Sequence, residues 1–421
     1  MTTSPTFRNR ITAFLNTGDQ SLLTSTNERD WHRNFYWLDR SGLALPVAVA
    51  VESSAVPPAI NDALQTRVQD NAKRMDVMLQ FFDEVNTALI ASGVRYCCVK
   101  GFSLIPQCFS NISERHQLDF DFLLSPLDVK RAAAAIETTG YRTLYSAPSG
   151  EVRLGKPWKK LLGVHAYLYD LPEPPPIELH TRVWEPEAAI DMTVPDSFLD
   201  TLEMHEIRGV QFPCLTLPHQ FIYLVLHIFR HLIGSWARLL SLYEVATLLR
   251  AHEGDNRPWK AVSDLVEQDP RLASVCALIL GLVNVVFPAE LPAPLRSLVA
   301  RHLSAESALW LQEYASRWLL SDPAGTKLAL LVEEQFCSDR QAWKKHLFQR
   351  LLPLHRPNAL DEDSRDLPGK SLAYRIEEKL FQAGRVTHHL GRSAEYLLAR
   401  IKWDRLRQSG AGPAQRTLRE I

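Results

Sequence analysis

Asp119 and Asp121 are separated by one residue within Arg115-His116-Gln117-Leu118-Asp119-Phe120-Asp121-Phe122-Leu123-Leu124. Side chains along a strand point alternately to opposite faces. An extended run here puts both carboxylates on one face and Leu118, Phe120, Phe122 and Leu124 on the other. Two acids on one rigid face can hold a hard cation such as Mg²⁺ or Mn²⁺. A third acid follows in Pro176-Ile177-Glu178-Leu179-His180-Thr181-Arg182-Val183, where Ile177, Leu179 and Val183 alternate with Glu178, His180 and Arg182. Asp119, Asp121 and Glu178 are therefore the candidate metal ligands and catalytic residues, with His180 on the face of Glu178.

Phosphate-binding residue types surround the acids. Val99-Lys100-Gly101-Phe102-Ser103 reads as the end of an apolar strand followed by a Lys-Gly turn. A glycine lets a phosphate approach the backbone, and a lysine adds a point charge. Arg115 offers a fork of donors suited to a polyphosphate. Lys100, Gly101, Ser103, Arg115 and His180 are thus the candidate nucleotide-binding residues. A half-buried strand that merely turns its acids to water would show the same alternation, but not the flanking basic groups.

The order of these motifs resembles the uncharacterised nucleotidyltransferase family of the polymerase-β-like superfamily. The resemblance rests on Lys100-Gly101, on Arg-x-x-x-Asp-x-Asp-x-Leu-Leu from Arg115, on a helix ending at Gly140-Tyr141, and on an acid-Leu-His strand at Glu178. It covers about Trp31 to Leu249. It implies a mixed-sheet core that binds a nucleoside triphosphate, ATP among them, with a divalent metal. Two positions depart from the family pattern: Phe102 stands where a second Gly or a Ser is usual, and Glu178 stands where Asp is usual.

The remainder of the chain must position these residues. Its 421 residues suggest two or three domains, and 46% hydrophobic content supplies an ample core. With 47 basic and 48 acidic residues the net charge is -1, so the overall balance favours neither nucleic acid nor an anionic membrane as an obligatory partner. The six cysteines lack zinc spacing and read as reduced thiols, consistent with a cytoplasmic protein. No secretory leader is read at the start, and the apolar runs Phe221 to Ile233 and Leu272 to Phe287 read as buried helices rather than membrane spans.

Helical periodicity predicts Phe7 to Leu15, a helix capped by Asn27, and a long helix from Pro58 to Ser92 stopped by Gly93. Strands are expected at Arg95 to Lys100, Gln117 to Leu124, Tyr141 to Tyr145, Val164 to Tyr169 and around Glu178, with a short helix from Phe102 to Phe109 and another after Pro126. A hairpin is expected across His205 to Leu217, then helices to about Phe336, a linker at Pro353 to Lys370, and a basic helix from Ser371 to Arg407. His227 and His231 lie one turn apart without an accompanying H-E-x-x-H pattern, so a structural or pocket role is expected of them.

The fold class that follows is α+β: a nucleotidyltransferase-type mixed β-sheet core with N-terminal helices and a large C-terminal helical region. The expected divisions are residues 1–92, 93–215, 216–352 and 353–421. The expected function is metal-dependent transfer of a nucleoside monophosphate to an unidentified hydroxyl on a small molecule, protein or RNA. The alternative is a catalytically weak or inactive nucleotide-binding or interaction module on the same fold.

Overall fold

The computed structural model describes residues 5–105, 107–147, 150–156, 168–170, 174–184, 190, 192–322, 325–352 and 372–408. Its centre is a mixed sheet of seven strands: β1 Tyr96–Val99, β2 Phe120–Leu124, β3 Arg142–Ser146, β4 Val152–Gly155, β5 Ile177–His180, β6 Leu202–Ile207 and β7 Val210–Leu215. Their order is β3-β4-β5-β2-β1-β7-β6. The β2–β5 and β1–β7 pairs are parallel, and the other pairs are antiparallel. The short polar-ended strands β2 and β5 therefore lie side by side at the middle of the sheet.

Alternation along these strands divides the sheet into two unlike faces. Tyr96, Cys98, Phe120, Phe122, Leu124, Ile177, Leu179 and Phe212 share one apolar cluster. The long helix Pro58–Ala91 lies across that face through Met75, Met78, Phe82, Val85 and Leu89. Phe82 is the centre of the contact. Its ring meets Phe102, Phe120, Phe122 and Phe212 at centroid distances of 4.9, 5.4, 5.9 and 5.0 Å. Phe102 thus turns away from the Lys-Gly bend and anchors it in this core, which gives a packing reason for the aromatic residue there.

Cys97, Val99 and Leu123 point to the other face, where they join the core of the helices Leu217–Ile233, Leu239–Ala251, Asn256–Val266 and Pro270–Val286. The same core takes in the N-terminal helices Pro5–Thr17, Glu28–Ser41 and Ala44–Ala50. Asn27 caps its helix by accepting a bond from the Asp30 N–H at 3.0 Å, as its position predicts. Asp39, buried in that helix, receives both Nε and a terminal nitrogen of Arg67 at 2.8 and 2.9 Å and the Tyr169 hydroxyl at 2.9 Å. The N-terminal helices are bolted to the long helix by this ion pair, whose buried carboxylate is satisfied from both sides.

Several local expectations are corrected. The acidic strand begins at Phe120 instead of Gln117, so Asp119 sits just before the first paired residue. Only Gly101–Leu104 of the expected Phe102 helix forms, as a single 3₁₀ turn, because Ile105 is already extended. Strand β4 was not anticipated; it is short and pairs between β3 and β5. Leu168 and Tyr169 of the expected Val164 to Tyr169 strand are helical, and residues 164–167 lie outside the described residues. The linker expected at Pro353 to Lys370 also lies outside them, while the basic helix is present as Leu372–Gln408. Among the described residues no helix is long and apolar enough to cross a membrane.

Because Phe82 touches four rings from three parts of the core, Phe82→Ala should lower unfolding free energy by about 3–5 kcal/mol. Urea unfolding followed by circular dichroism would measure it, and a loss below about 1 kcal/mol would show that the cluster does not hold the sheet to its helix.

Candidate active site

Register in the sheet brings the acids together. Asp121 on β2 is paired with Glu178 on β5, and His180 follows two residues along the same strand. On the antiparallel side Asp121 is paired with Val99, the residue before Lys100. Parallel pairing places side chains of paired residues on one face, so Asp121, Glu178 and His180 project from the face covered by the C-terminal helices. Each of the three offers a ligand atom within 4.8 Å of the others.

Asp121 is nearly inaccessible and is compensated twice on the same oxygen. The His180 ring nitrogen Nε2 lies 2.8 Å from Oδ1, and the Lys100 ammonium is also 2.8 Å from Oδ1. Burial alone would raise its pKa, but the Lys100 charge and the His180 hydrogen bond outweigh burial and hold the carboxyl below the usual range. Glu178 lies 3.8 Å from His180 Nε2 and 3.9 Å from Arg153 Nε.

Asp119 lines the same cavity but is not in the group within 4.8 Å. Among the described residues the group within that distance is Asp121, Glu178 and His180. The physical reason is that Asp119 precedes the pleat, where its carbonyl accepts a bond from Gln117 Nε2 at 2.8 Å. Burial and then the neighbouring Asp121 charge push the Asp119 carboxyl upward, against the pull of Lys100. Two acids in one cavity with pKa values driven apart are a frequent mark of a functional site.

The Lys-Gly turn is strained. Lys100 has φ 58° and Gly101 has φ 51°. A left-handed conformation at a non-glycine residue costs on the order of 1–3 kcal/mol. A Cβ on Gly101 would come within 2.5 Å of the Gln117 amide, so only glycine fits under that side chain. Ser103 turns inward instead of toward the cavity. Its hydroxyl donates to the Lys100 carbonyl at 2.8 Å, and Gln220 Nε2 from the Leu217 helix donates to its carbonyl and hydroxyl at 2.9 and 3.1 Å. In this arrangement the Ser103 hydroxyl helps hold the turn.

Arg115 lines the cavity, but its Nε is bound to the buried Glu244 at 2.7 Å. Glu244 belongs to the helix Leu239–Ala251, so this ion pair joins the loop before β2 to the C-terminal helices. Asn71 of the long helix fixes the same loop from behind by donating to the Ser113 and Arg115 carbonyls at 2.8 and 3.1 Å.

The opposite wall is one face of the helix Leu217–Ile233. Tyr223, His227, Arg230 and His231 recur at helical spacing and line the cavity with Trp236 and Arg238 beyond its end. The His227 and His231 rings are 4.1 Å apart, and His231 lies 3.8 Å from the Trp236 ring. Burial, followed by the Lys100 charge, drives both histidines down, His231 to about 3, so both are neutral at physiological pH. The cavity they close measures about 500 Å³.

A family model described as an uncharacterised nucleotidyltransferase matches residues 27–288. The chain belongs to this family. The matched stretch includes both metal-type strands, the Lys-Gly turn and the helical wall, and it ends two residues beyond the helix Pro270–Val286. No curated protein matches the chain. Tyr223, Arg230 and Gln117 line the cavity as well, beyond the site residues expected from the motifs. The first two share a helical face with His227 and His231, a spacing that was available to find them.

Two outcomes test this geometry. Glu244→Gln should destabilise the protein by about 3–5 kcal/mol, since it leaves the buried Arg115 cation uncompensated; chemical unfolding would measure it. Asp119 has a native pKa above its unfolded value, so the native state binds the extra proton between the two. Its ionisation therefore erodes stability as pH rises from about 4 toward the raised value, and the loss is constant above that. Asp119→Asn should accordingly gain stability relative to the parent across that interval, measured by unfolding at several pH values, and a pH-independent difference would contradict the assignment.

Proposed function

We propose that this chain transfers a nucleoside monophosphate from a nucleoside triphosphate to a hydroxyl acceptor. The observation that carries the reading is Asp121, buried beneath Lys100 and His180 and paired across the sheet with Glu178, in a cavity lined by further cationic side chains. The donor set fits a divalent cation: two carboxylates of different strands and a histidine offer ligand atoms within 4.8 Å of one another. Asp121 and Glu178 would hold Mg²⁺ or Mn²⁺, with Asp119 close enough along the chain to complete the site. The bound cation would supply charge stabilisation for the attacking and leaving oxygens.

The protein's own groups then have separate tasks. Lys100 neutralises Asp121 in the free protein and can turn its ammonium to a triphosphate, while Gly101 permits the positive-φ turn that places that lysine at the cavity. Arg182, Arg230 and Arg238 line the same space and suit the negative charge that grows on pyrophosphate as it leaves. His180 keeps the Asp121 carboxylate oriented. Glu178 orients the acceptor hydroxyl and accepts its proton as the oxygen bonds to the α-phosphorus. The bond from that phosphorus to pyrophosphate breaks, and pyrophosphate departs with the electron pair. Arg115 acts through the Glu244 ion pair, bracing the loop that presents Asp119.

A second reading has an observation in its favour. Three of the groups expected to grip phosphate already have protein partners: Lys100 on Asp121, Arg115 on Glu244 and Ser103 on Gln220. A nucleotide-binding module without turnover would tolerate that arrangement. The retained acids favour the enzyme.

The test is incubation with labelled nucleoside triphosphates and Mg²⁺, with pyrophosphate release as readout and thermal unfolding as a binding measure. The parent should be stabilised by metal and nucleotide together, since a ligand stabilises the native state it binds. Asp121→Asn should lose most of that stabilisation, and Glu178→Gln should lower turnover by about 10²-fold or more. Chelation of the metal should abolish both signals. Stabilisation without pyrophosphate release would support the second reading, and equal stabilisation of parent and Asp121→Asn would remove Asp121 from the site.

A further inference from the structure

A second pocket of about 280 Å³ lies on the far side of the turn that closes the acidic cavity. It is lined by Ser235, Lys327, Arg350, His388, His389 and Arg392, together with Gly234, Gly325, Thr326 and Gln349. Its charge differs from that of the first cavity. Among the described residues no carboxylate lines it, whereas the first is lined by as many acids as lysines and arginines.

Lys327 is the unusual member. Only 5% of it is exposed. Its ammonium donates to the Ser393 hydroxyl at 2.8 Å and to the His389 and Leu351 carbonyls at 3.3 and 3.4 Å. These neutral oxygens satisfy its hydrogens, and among the described residues no carboxylate is paired with its charge, whereas interior charges are ordinarily paired. The ammonium is accordingly pushed down to about 8 by burial and by Arg350, and His389 falls to about 4 through burial and Lys327.

Two further polar atoms in the lining have no partner. Ser235 Oγ and His389 Nδ1 are both buried and without a hydrogen bond among the described residues. Ser235 is also held at φ 57°, a conformation that costs energy for a residue with a side chain. Arg392 gives one nitrogen to Glu395 at 3.0 Å and another to the Asp322 carbonyl at 3.4 Å. A cavity that collects an ammonium with no carboxylate beside it among the described residues, two polar atoms unsatisfied among the same residues, and two guanidinium groups is suited to a multiply charged anion with several acceptor oxygens.

We propose that this pocket binds a phosphoryl group at a site separate from the acidic cavity. Gly234 lines both spaces, and Trp236, two residues on, lines the acidic one. The two sites are therefore joined by one short turn and differ in charge. Lys327 supplies the interior charge, His388 and Arg392 the rim, and Ser235 a hydroxyl donor. The phosphoryl group can be free phosphate or the terminal ester of a larger molecule, because both present the same oxygens.

The full chain, with histidine ring carbons isotopically labelled, is titrated separately with inorganic phosphate and with glycerol 3-phosphate while histidine resonances and the unfolding temperature are followed. Saturable shifts of the His388 and His389 signals are expected with a rise in unfolding temperature. Lys327→Met should weaken the affinity at least tenfold. Since that change touches the interior, the rim variant His388→Gln with Arg392→Gln provides a second reading and should also weaken it tenfold, with the remaining His389 signal reporting. Lys100→Met, which alters the acidic cavity alone, should leave the affinity intact. Tighter binding of the ester identifies a phosphorylated ligand, and equal or weaker binding identifies free phosphate. No saturable response, or one abolished by Lys100→Met and preserved in the other two variants, overturns the proposal. Neither result bears on nucleotidyl transfer, which is read by pyrophosphate release.

Discussion

A carboxylate in the interior must be compensated, and the arrangement around Asp121 follows from that requirement. Its neighbours are a lysine from the adjoining strand end and a histidine from the parallel strand, both meeting one oxygen. Removing either partner would leave a buried charge whose desolvation is no longer repaid. The sheet order satisfies the demand, because β2 lies between β1 and β5. The strained backbone at Lys100 and the tight fit of Gly101 beneath Gln117 can be understood as the local cost of aiming that ammonium at Asp121.

The two faces of the sheet divide structural from chemical duty. Phenylalanines from β2, the Lys-Gly turn and β7 gather around Phe82, and Asn86 of the same helix adds polar ties to Tyr96 and to the Gln211 carbonyl. The opposite face can then carry acids. Its cover is a helix whose buried residues pack inward while Tyr223, His227 and Arg230 line the cavity. The neutral histidines follow from the same geometry, since burial near Lys100 disfavours a second positive charge.

Rigidity reaches the site through buried ion pairs between distant parts of the chain. Arg67 and Asp39 tie the N-terminal helices to the long helix, and Arg115 and Glu244 tie the loop before β2 to the C-terminal helices. Their partners lie 28 and 129 residues apart. Such pairs contribute little net stability compared with an apolar replacement, but they specify one arrangement because breaking them is costly. The family match ends near the helix Pro270–Val286, so the second basic pocket belongs almost wholly to the part of the chain beyond it.

Local pattern by itself determined a good deal. Period-two alternation identified β2 and β5 and assigned Phe120, Phe122 and Leu124 to the core face, because a side chain's face depends only on its own strand. Helical spacing similarly located the long helix and the buried helices Leu217–Ile233 and Pro270–Val286. Residue order marked the family. Tertiary structure decided the partners. Nothing near Arg115 indicates that Glu244 will claim it, and nothing near Ser103 indicates Gln220, since those contacts bridge 129 and 117 residues. Alternation likewise placed Asp119 within the strand, whereas pairing begins one residue later, and His180 is the third side chain grouped with Asp121 and Glu178. Strand limits are set by the neighbouring strand's hydrogen bonds, and those exist only once the sheet has assembled.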